Sequence, residues 1–303
     1  MWFLSFLLSL VLAPLLAGVI RKTKAFFAGR RGPPLLQVYH DIAKLVQKGT
    51  VYSTTTTVVF RLFPTLSLAA TLAAALFMPF GSAASPLAFE GDIVLFFHLL
   101  AAARMATMLG ALDTGSAFEG MGSSREAQFS AFAEGVTFAT LGFLALLTDQ
   151  LSLTGTLTGF DGQAWANNGT SMALAVAAFF IVALAENCRV PFDDPETHLE
   201  LTMIHEAMIL DNGGPDLAFI HYGAALKLWL LLSFVALQIL PIGSDEGLPG
   251  ALAYFALMPL LAVVVGIVES IMARLRFLKV PKIFAGSLAL VLVAILLFTF
   301  FNA

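Results

Sequence analysis

Eight apolar stretches, near residues 2–20, 60–79, 93–112, 127–147, 171–187, 219–241, 251–272 and 283–301, constrain this chain more than any motif does. Each is long enough to cross a hydrocarbon core of about 30 Å as a helix of about 20 residues. None alternates apolar and polar residues as a membrane barrel strand does, and in hydrocarbon only helices and closed barrels satisfy every backbone N–H and C=O. The chain therefore reads as an all-α integral membrane protein, one membrane domain over residues 1–303 with about eight transmembrane helices. Composition agrees: charged residues are 12% of the chain, against roughly 25% in soluble domains. The first run, Trp2 to Ile20, has no basic stretch before it and no small-residue cleavage pattern after it. It is expected to be a retained helix and not a signal peptide.

The basic residues give the sidedness. Residues 21–59 hold Arg21, Lys22, Lys24, Arg30, Arg31, Lys44 and Lys48, which the positive-inside rule places in the cytoplasm. Alternation then puts 80–92, 148–170 and 242–250 outside, and none of these contains a Lys or Arg. The expected cytoplasmic loops are 21–59, 113–126, 188–218 and 273–282, the last carrying Arg274, Arg276, Lys279 and Lys282. Both termini fall outside in this layout, which fits a multi-pass protein of the inner (cytoplasmic) membrane. The net charge of −4 gives no argument for a nucleic-acid partner. One cysteine, Cys188, excludes an intrachain disulfide and a cysteine-ligated Fe–S site built from this chain alone. The five histidines lack metalloprotease spacing, so no metal or cofactor is expected in this chain and any electron carriers belong to other chains.

Three inner loops carry the remaining signals. Residues 35–48 place Leu35, Tyr39, Ile42, Leu45 and Val46 on one side of a helix and Gln37, His40, Asp41, Lys44 and Gln47 on the other. The segment is too short to span, so it is expected as an amphipathic interfacial helix or as a docking surface beside the Gly32-Pro33-Pro34 turn. The loop 113–126, DTGSAFEGMGSSRE, is rich in Gly and Ser and reads as a solvated turn that holds Glu119 and Arg125. About seven residues beyond it, ~10 Å into the next helix, lies Glu134. Arg104 sits inside the third apolar run. Ionisable side chains at such depth face protein or water instead of lipid and are candidates for an ion path; a static buried pair is the alternative.

The third loop is the most acidic. Asp194-Pro195 is a good start signal and Asp211-Asn212-Gly213-Gly214 a good stop, so a helix is expected over 195–210. Glu196 and Glu200 share one face of it, an arrangement that costs a few tenths of a kcal/mol. Glu186, Asp193, Asp194, Glu196, Glu200, Glu206 and Asp211 face only one basic residue in the same stretch, Arg189. A merely solvated acidic face is usually laced with lysines. Clustered carboxylates share protons, which suits storage or relay; binding of Na+ and docking of a basic partner are the alternatives.

Arg31-Gly32-Pro33-Pro34-Leu35-Leu36-Gln37 with Asp41 and Lys44, and Ala185-Glu186-Asn187, Arg189, Pro191-Phe192-Asp193, Pro195-Glu196 and Glu200-Leu201, resemble the loops of the subunit 1 family of complex I and its homologues in energy-converting NiFe hydrogenases, including formate hydrogenlyase. His198 stands where the complex I pattern has a further acidic residue, and LELTMIHEAMILD replaces its glycine-containing turn. These departures favour the hydrogenase branch. The resemblance implies a membrane anchor within an oxidoreductase complex, with no redox centre of its own. It implies peripheral large and small Fe–S subunits and antiporter-like membrane subunits as partners, Fe–S clusters and a NiFe centre in those partners, and coupling to proton or Na+ translocation. Carried over by position, the resemblance puts Arg189, Asp193, Glu196 and Glu200 near the peripheral arm's terminal cluster and Glu134 and Glu186 on the way towards the neighbouring membrane subunit. With Arg104, Glu206 and Asp211, read from depth and charge, these are the candidates for an ion path; Arg31, Gln37, Asp41, Lys44, Glu119, Arg125 and His198 are the candidates for docking. A quinone-site subunit of a complex I-type NADH dehydrogenase is the nearest alternative. A stand-alone ion-coupled secondary transporter is the alternative of another class, weakened by the lack of an internal repeat or of paired Gly/Pro-broken helices.

Overall fold

The computed structural model describes residues 2–160, 162–193, 203–240 and 247–302. Its helices, in chain order, are α1 (Trp2–Phe27), α2 (Gln37–Val46), α3 (Val58–Phe77), α4 (Asp92–Asp113), α5 (Ala117–Thr148), α6 (Leu153–Thr158), α7 (Gly162–Glu186), α8 (His205–Met208), α9 (Gly214–Ile239), α10 (Gly247–Ile271) and α11 (Val280–Asn302). A 3-10 turn, Phe277–Lys279, leads into α11. Among the described residues eight helices are long and apolar enough to cross a membrane. The all-α membrane architecture expected from the apolar runs is the one the chain adopts.

Helix α9 forms the centre of the bundle. It packs against α1, α2, α3, α6, α7 and α10, and its residues from Leu228 to Gln238 are buried without a break. A helix apolar on every side belongs where every side meets protein. Around it lie the α3–α4 hairpin, the α1–α10 pair, and α11 held between α5 and α7.

Two aspartates fix the ends of the hairpin. Asp113, the last residue of α4, accepts from the Thr57 N–H (2.7 Å), the Thr57 hydroxyl (2.7 Å) and the Phe60 N–H (3.2 Å). The carboxylate thus satisfies donors at the start of α3 that the helix itself leaves open. At the other end Asp92, fully buried, accepts from the N–H groups of Phe89 (3.1 Å) and Leu153, which ties the start of α4 to α6. Between the two, Gly110 lets the Phe63 ring lie on the α4 backbone.

The Gly- and Ser-rich stretch expected as a loop over 113–126 is mostly helical. The turn is confined to Thr114–Ser116, with Gly115 at φ 69°, and α5 starts at Ala117. The small residues serve close packing: a Cβ on Gly122 would lie 2.9 Å from the Ile204 carbonyl oxygen and 3.0 Å from the Ala207 Cβ. That contact belongs to α8 and the Ile204 that precedes it; of the helix expected over 195–210 only His205–Met208 is helical among the described residues, and residues 194–202 lie outside them. The Asp211–Gly214 stop ends this segment, and α9 begins at Gly214, five residues before the expected apolar run, with Pro215 in its first turn.

The expected amphipathic segment forms α2, packed on α1 and α9, with the Tyr39 hydroxyl donating to the Val11 carbonyl (2.5 Å). The turn before it approaches α1 so closely that a Cβ on Gly18 would land on the Leu35 carbonyl. Gly18→Ala is expected to cost about 1–3 kcal/mol through this backbone overlap. Gly142→Ala in α5, where a Cβ meets open space, is expected to stay within about 0.5 kcal/mol of the parent. Thermal unfolding of both variants in detergent checks the contrast.

Candidate functional site

Four charged side chains from four helices meet inside the bundle. Arg104 of α4 donates through Nη1 to Glu186 Oε1 and through Nη2 to Glu134 Oε1 (2.7 Å). Lys227 of α9 donates through Nζ to Glu186 Oε2 (2.9 Å) and to the Glu186 carbonyl oxygen (2.6 Å). The order across the bundle is Glu134 (α5), Arg104 (α4), Glu186 (α7), Lys227 (α9), alternating in sign. Glu186 is the last residue of α7, so Lys227 also satisfies a carbonyl that the helix end leaves open, the favoured placement for a cation.

The end of α7 is built to present this carboxylate. Arg189 N–H donates to the Leu184 carbonyl (2.9 Å) and Cys188 N–H to the Ala185 carbonyl (3.0 Å), with Cys188 left-handed at φ 50°. This is the two-bond Schellman closure, with cysteine where glycine is usual. Burial and the Glu126 and Asp193 carboxylates push the Cys188 thiol well above its usual pKa, so it is no nucleophile or metal ligand. Its Sγ lies 3.9 Å from Oε2 of Glu126, a further buried acid on α5.

The closure directs Arg189 to a second cluster, where its Nη1 is 3.4 Å from Glu269 Oε1 and Lys24 Nζ is 3.1 Å from Glu269 Oε2. A third cluster surrounds Asp193, which is 1% exposed. It accepts from Arg274 Nη2 (2.6 Å) and from the backbone N–H groups of Ile204 and His205 (3.1 Å each). Asp193 therefore clamps the start of α8 to the segment before α11.

Two hollows meet at the four-charge network. A cavity of about 480 Å³ opens beside α2 and is lined by Arg21, Asp41, Lys44, Arg104, Glu186 and Lys227, among others. A crevice of about 110 Å³ on the flank is lined by His98, Arg104, Glu134, Thr137, Phe138 and Glu186. Arg104 and Glu186 belong to both linings, so their ion pair is the partition between the two. Glu134, 50% exposed, is the network's outer member.

An aromatic layer closes the bundle above these charges. Phe97, Phe179 and Phe234 pack with ring centroids 4.5 to 5.9 Å apart. Each lies seven residues from a network member on its own helix: Arg104, Glu186 and Lys227. Seven residues are about two turns, so the rings form one apolar plug about 10 Å from the charges. Such a plug is an apolar barrier to water and ions along the bundle axis.

The expected path residues thus separate into groups. Arg104, Glu134 and Glu186 come together; Arg189 and Asp193 join the other two clusters; Glu206 lines the cavity, and Asp211 is exposed. Glu196, His198 and Glu200 lie outside the described residues. Among the docking residues, Arg31 is exposed, Asp41 and Lys44 edge the cavity, Gln37 donates to Asp41 (2.7 Å), and Arg125 donates to the Met203 carbonyl (3.1 Å). Glu119 departs from the expectation. It is 1% exposed and accepts from the Asp211 N–H (3.3 Å), because the helical start of α5 turns it inward. Lys227, Glu126 and Glu269 were not among the expected residues. Lys227 and Glu269 interrupt apolar runs, the signal that singles out Arg104, and they qualify by it equally.

Lys227→Met strips one cation from a buried pair and is expected to cost about 3–5 kcal/mol. Glu134→Gln, at the half-exposed end, is expected to cost well under 1 kcal/mol; thermal unfolding of the purified chain measures both. Burial, with His221, Lys227 and Arg189 nearby, holds the His205 pKa at about 4, down from 6.5. Between these values the unfolded chain binds more protons than the folded one. Stability is therefore complete above pH 6.5 and falls as pH drops toward 4. His205→Gln is expected to flatten that slope in a pH series of melts.

Comparison with known proteins places this geometry. A family model described as NADH dehydrogenase matches residues 1–300. Hydrogenase-4 component C of Escherichia coli (strain K12) is 31% identical over 280 residues, covering 90% of this chain and 87% of that one. Formate hydrogenlyase subunit 4 of the same organism is 30% identical over 277 residues, covering 89% of each. NADH-ubiquinone oxidoreductase chain 1 of Podospora anserina is 29% identical over 208 residues, 63% of this chain and 55% of that one. Among solved structures, a chain of the membrane-bound sulfane sulfur reductase, an archaeal respiratory membrane complex, superposes with a TM-score of 0.80 at 22% identity, over 97% of this chain and 98% of its own, and shares the fold. The resemblance read from the loops is borne out: the chain belongs to the NADH dehydrogenase family of membrane subunits, together with hydrogenase-4 component C and formate hydrogenlyase subunit 4.

Proposed function

We propose that this chain is the membrane anchor of an energy-converting NiFe hydrogenase of the formate hydrogenlyase type, seating a peripheral redox arm and coupling its electron transfer to translocation of protons or Na+. The observation that carries the reading is the alternating network Glu134–Arg104–Glu186–Lys227, which joins a cavity at the loop end of the bundle to a crevice on its flank. Near-full-length similarity to two hydrogenase-complex subunits supports the class of complex. The Lys and Arg distribution supports a cytoplasmic loop end in the inner membrane, with both termini outside.

Among the described residues no group of three His, Cys, Asp or Glu side chains is placed to hold a metal ion, and Cys188 is enclosed. Fe–S clusters and the NiFe site are proposed to belong to the large and small peripheral subunits, a reading supported by the single cysteine of this chain. The chain's own contribution is electrostatic. A charge change in an arm seated over the cavity acts on Glu186, which is held between two cations. Neutralising Glu186 would release Arg104 toward Glu134 and so carry the change to the flank, where an antiporter-like subunit is proposed to sit. Moving one elementary charge against 100 mV costs about 2.3 kcal/mol, which a redox drop can supply. Arg189 and Glu206, which line the cavity, are proposed to tune this step, with Asp193, Glu196, Glu200 and Asp211 on the same loop.

The cavity volume is in the range of small-ligand pockets, which is the observation favouring a quinone-site subunit. The lining combines charged side chains with apolar ones such as Val38, Ile42, Leu217 and Ile220, and it is the near-full-length hydrogenase-complex relatives that favour the first reading. Mild-detergent purification, with mass spectrometry of co-purifying subunits and nickel and iron analysis, is expected to recover a hydrogenase arm. Recovery of a quinone-linked NADH dehydrogenase arm, or of the chain alone, would refute the assignment. In proteoliposomes, Glu134→Gln is expected to retain assembly and hydrogen turnover while ion translocation per turnover falls several-fold. Unchanged translocation would rule out the lateral route.

A further inference from the structure

Glu126 of α5 takes no part in the four-charge network. It is 7% exposed, yet it lines the central cavity together with Arg104, Glu186, Cys188, His205 and Lys227. Among the described residues its side chain has one hydrogen-bond partner, the Cys188 thiol, 3.9 Å from Oε2, and no cation at ion-pair distance. Glu134 lies eight residues further on, roughly 12 Å along α5 and about 80° around it. One helix thus presents Glu134 to the flank crevice and Glu126 to the cavity.

The charged groups around Glu126 are Lys227 of α9, Glu186 at the end of α7, Arg104 of α4, and Asp193 after the α7 closure. Both cations direct their hydrogen bonds elsewhere, Arg104 to Glu186 and Glu134, Lys227 to Glu186. A thiol is a weak donor. An ionised carboxylate met by so little is strongly unfavourable inside a bundle, and such a group holds a proton instead. Oε2 then accepts from the thiol, which leaves Oε1 to carry the proton.

We propose that Glu126 is the proton donor that neutralises Glu186. The proposal rests on the anchor reading above, in which Glu186 must lose its charge for Arg104 to turn to Glu134, and it names the source of that proton. The O–H bond of Glu126 breaks, the proton crosses the cavity through water, and an O–H bond forms on Glu186; no electron moves in this step. A cavity of about 480 Å³ is wide enough for the water that the crossing needs. The carboxylate left on Glu126 lies near Lys227, which the neutral Glu186 no longer holds. The net charge enclosed by the bundle is unchanged, so the transfer avoids the cost of burying a new unpaired charge.

Infrared difference spectroscopy of the intact complex, oxidised against reduced, tests this. The parent is expected to lose the C=O band of one protonated carboxyl group and to gain another, both shifting in D2O. Glu126→Gln is expected to abolish this pair of bands and to lower ion translocation per turnover several-fold. Its subunit composition and melting temperature are expected to match the parent, because a neutral amide replaces a neutral acid of the same shape. Bands that persist in Glu126→Gln, or translocation at the parental level, would overturn the proposal. A clear fall in melting temperature would also overturn it, by showing that an ionised carboxylate at this position holds the fold. A parent complex that contains no redox subunit would refute the anchor function itself, whereas a parent that translocates ions as well as its Glu126→Gln variant refutes the donor role alone.

Discussion

Everything in this bundle is arranged around the cost of burying charge. A carboxylate or a guanidinium away from water is strongly unfavourable unless an opposite charge and hydrogen bonds meet it. Glu186 satisfies that condition twice, with Arg104 on one side and Lys227 on the other, and so fixes the mutual position of α4, α7 and α9. The aromatic plug two turns away repeats the same three-helix contact in apolar form. One geometry therefore serves both an ionic layer and a sealing layer.

The same condition explains why the charges make a lateral route. Glu134 ends the network at the flank, half-exposed on a surface that would otherwise face hydrocarbon. A carboxylate there is tolerable only beside Arg104 and, in an assembled complex, beside a neighbouring subunit. At the loop end, the Asp193 clamp and the Glu269 cluster hold α8, α10 and the segment before α11 in a rigid frame. On the proposed function, a frame of this kind would transmit a change at a docked arm, because its charges are fixed in place and poorly screened by water.

The small residues tell a related story. Gly18, Gly110 and Gly122 each allow backbone or an aromatic ring to come closer than a Cβ permits. Where attraction between helices cannot come from expelling water, close packing supplies much of it. The stretch from Gly115 to Arg125 shows how this misleads a linear reading: the Gly and Ser content that suggests a turn forms the packing face of a helix, with Glu119 drawn inside. Only the neighbouring Ile204, Ala207 and Met208 reveal the purpose.

The sequence alone determined the eight membrane-crossing helices, because apolar length against the thickness of hydrocarbon is a one-dimensional quantity. It also singled out Arg104 and Glu134, since an ionisable residue within an apolar run declares itself without a partner, and Glu186 as one of a run of carboxylates with a single arginine among them. Only the tertiary structure decided who the partners are. Arg104 and Glu186 are separated by 82 residues, and Arg189 and Glu269 by 80. Pairing energy depends on distance in space, which chain order does not carry.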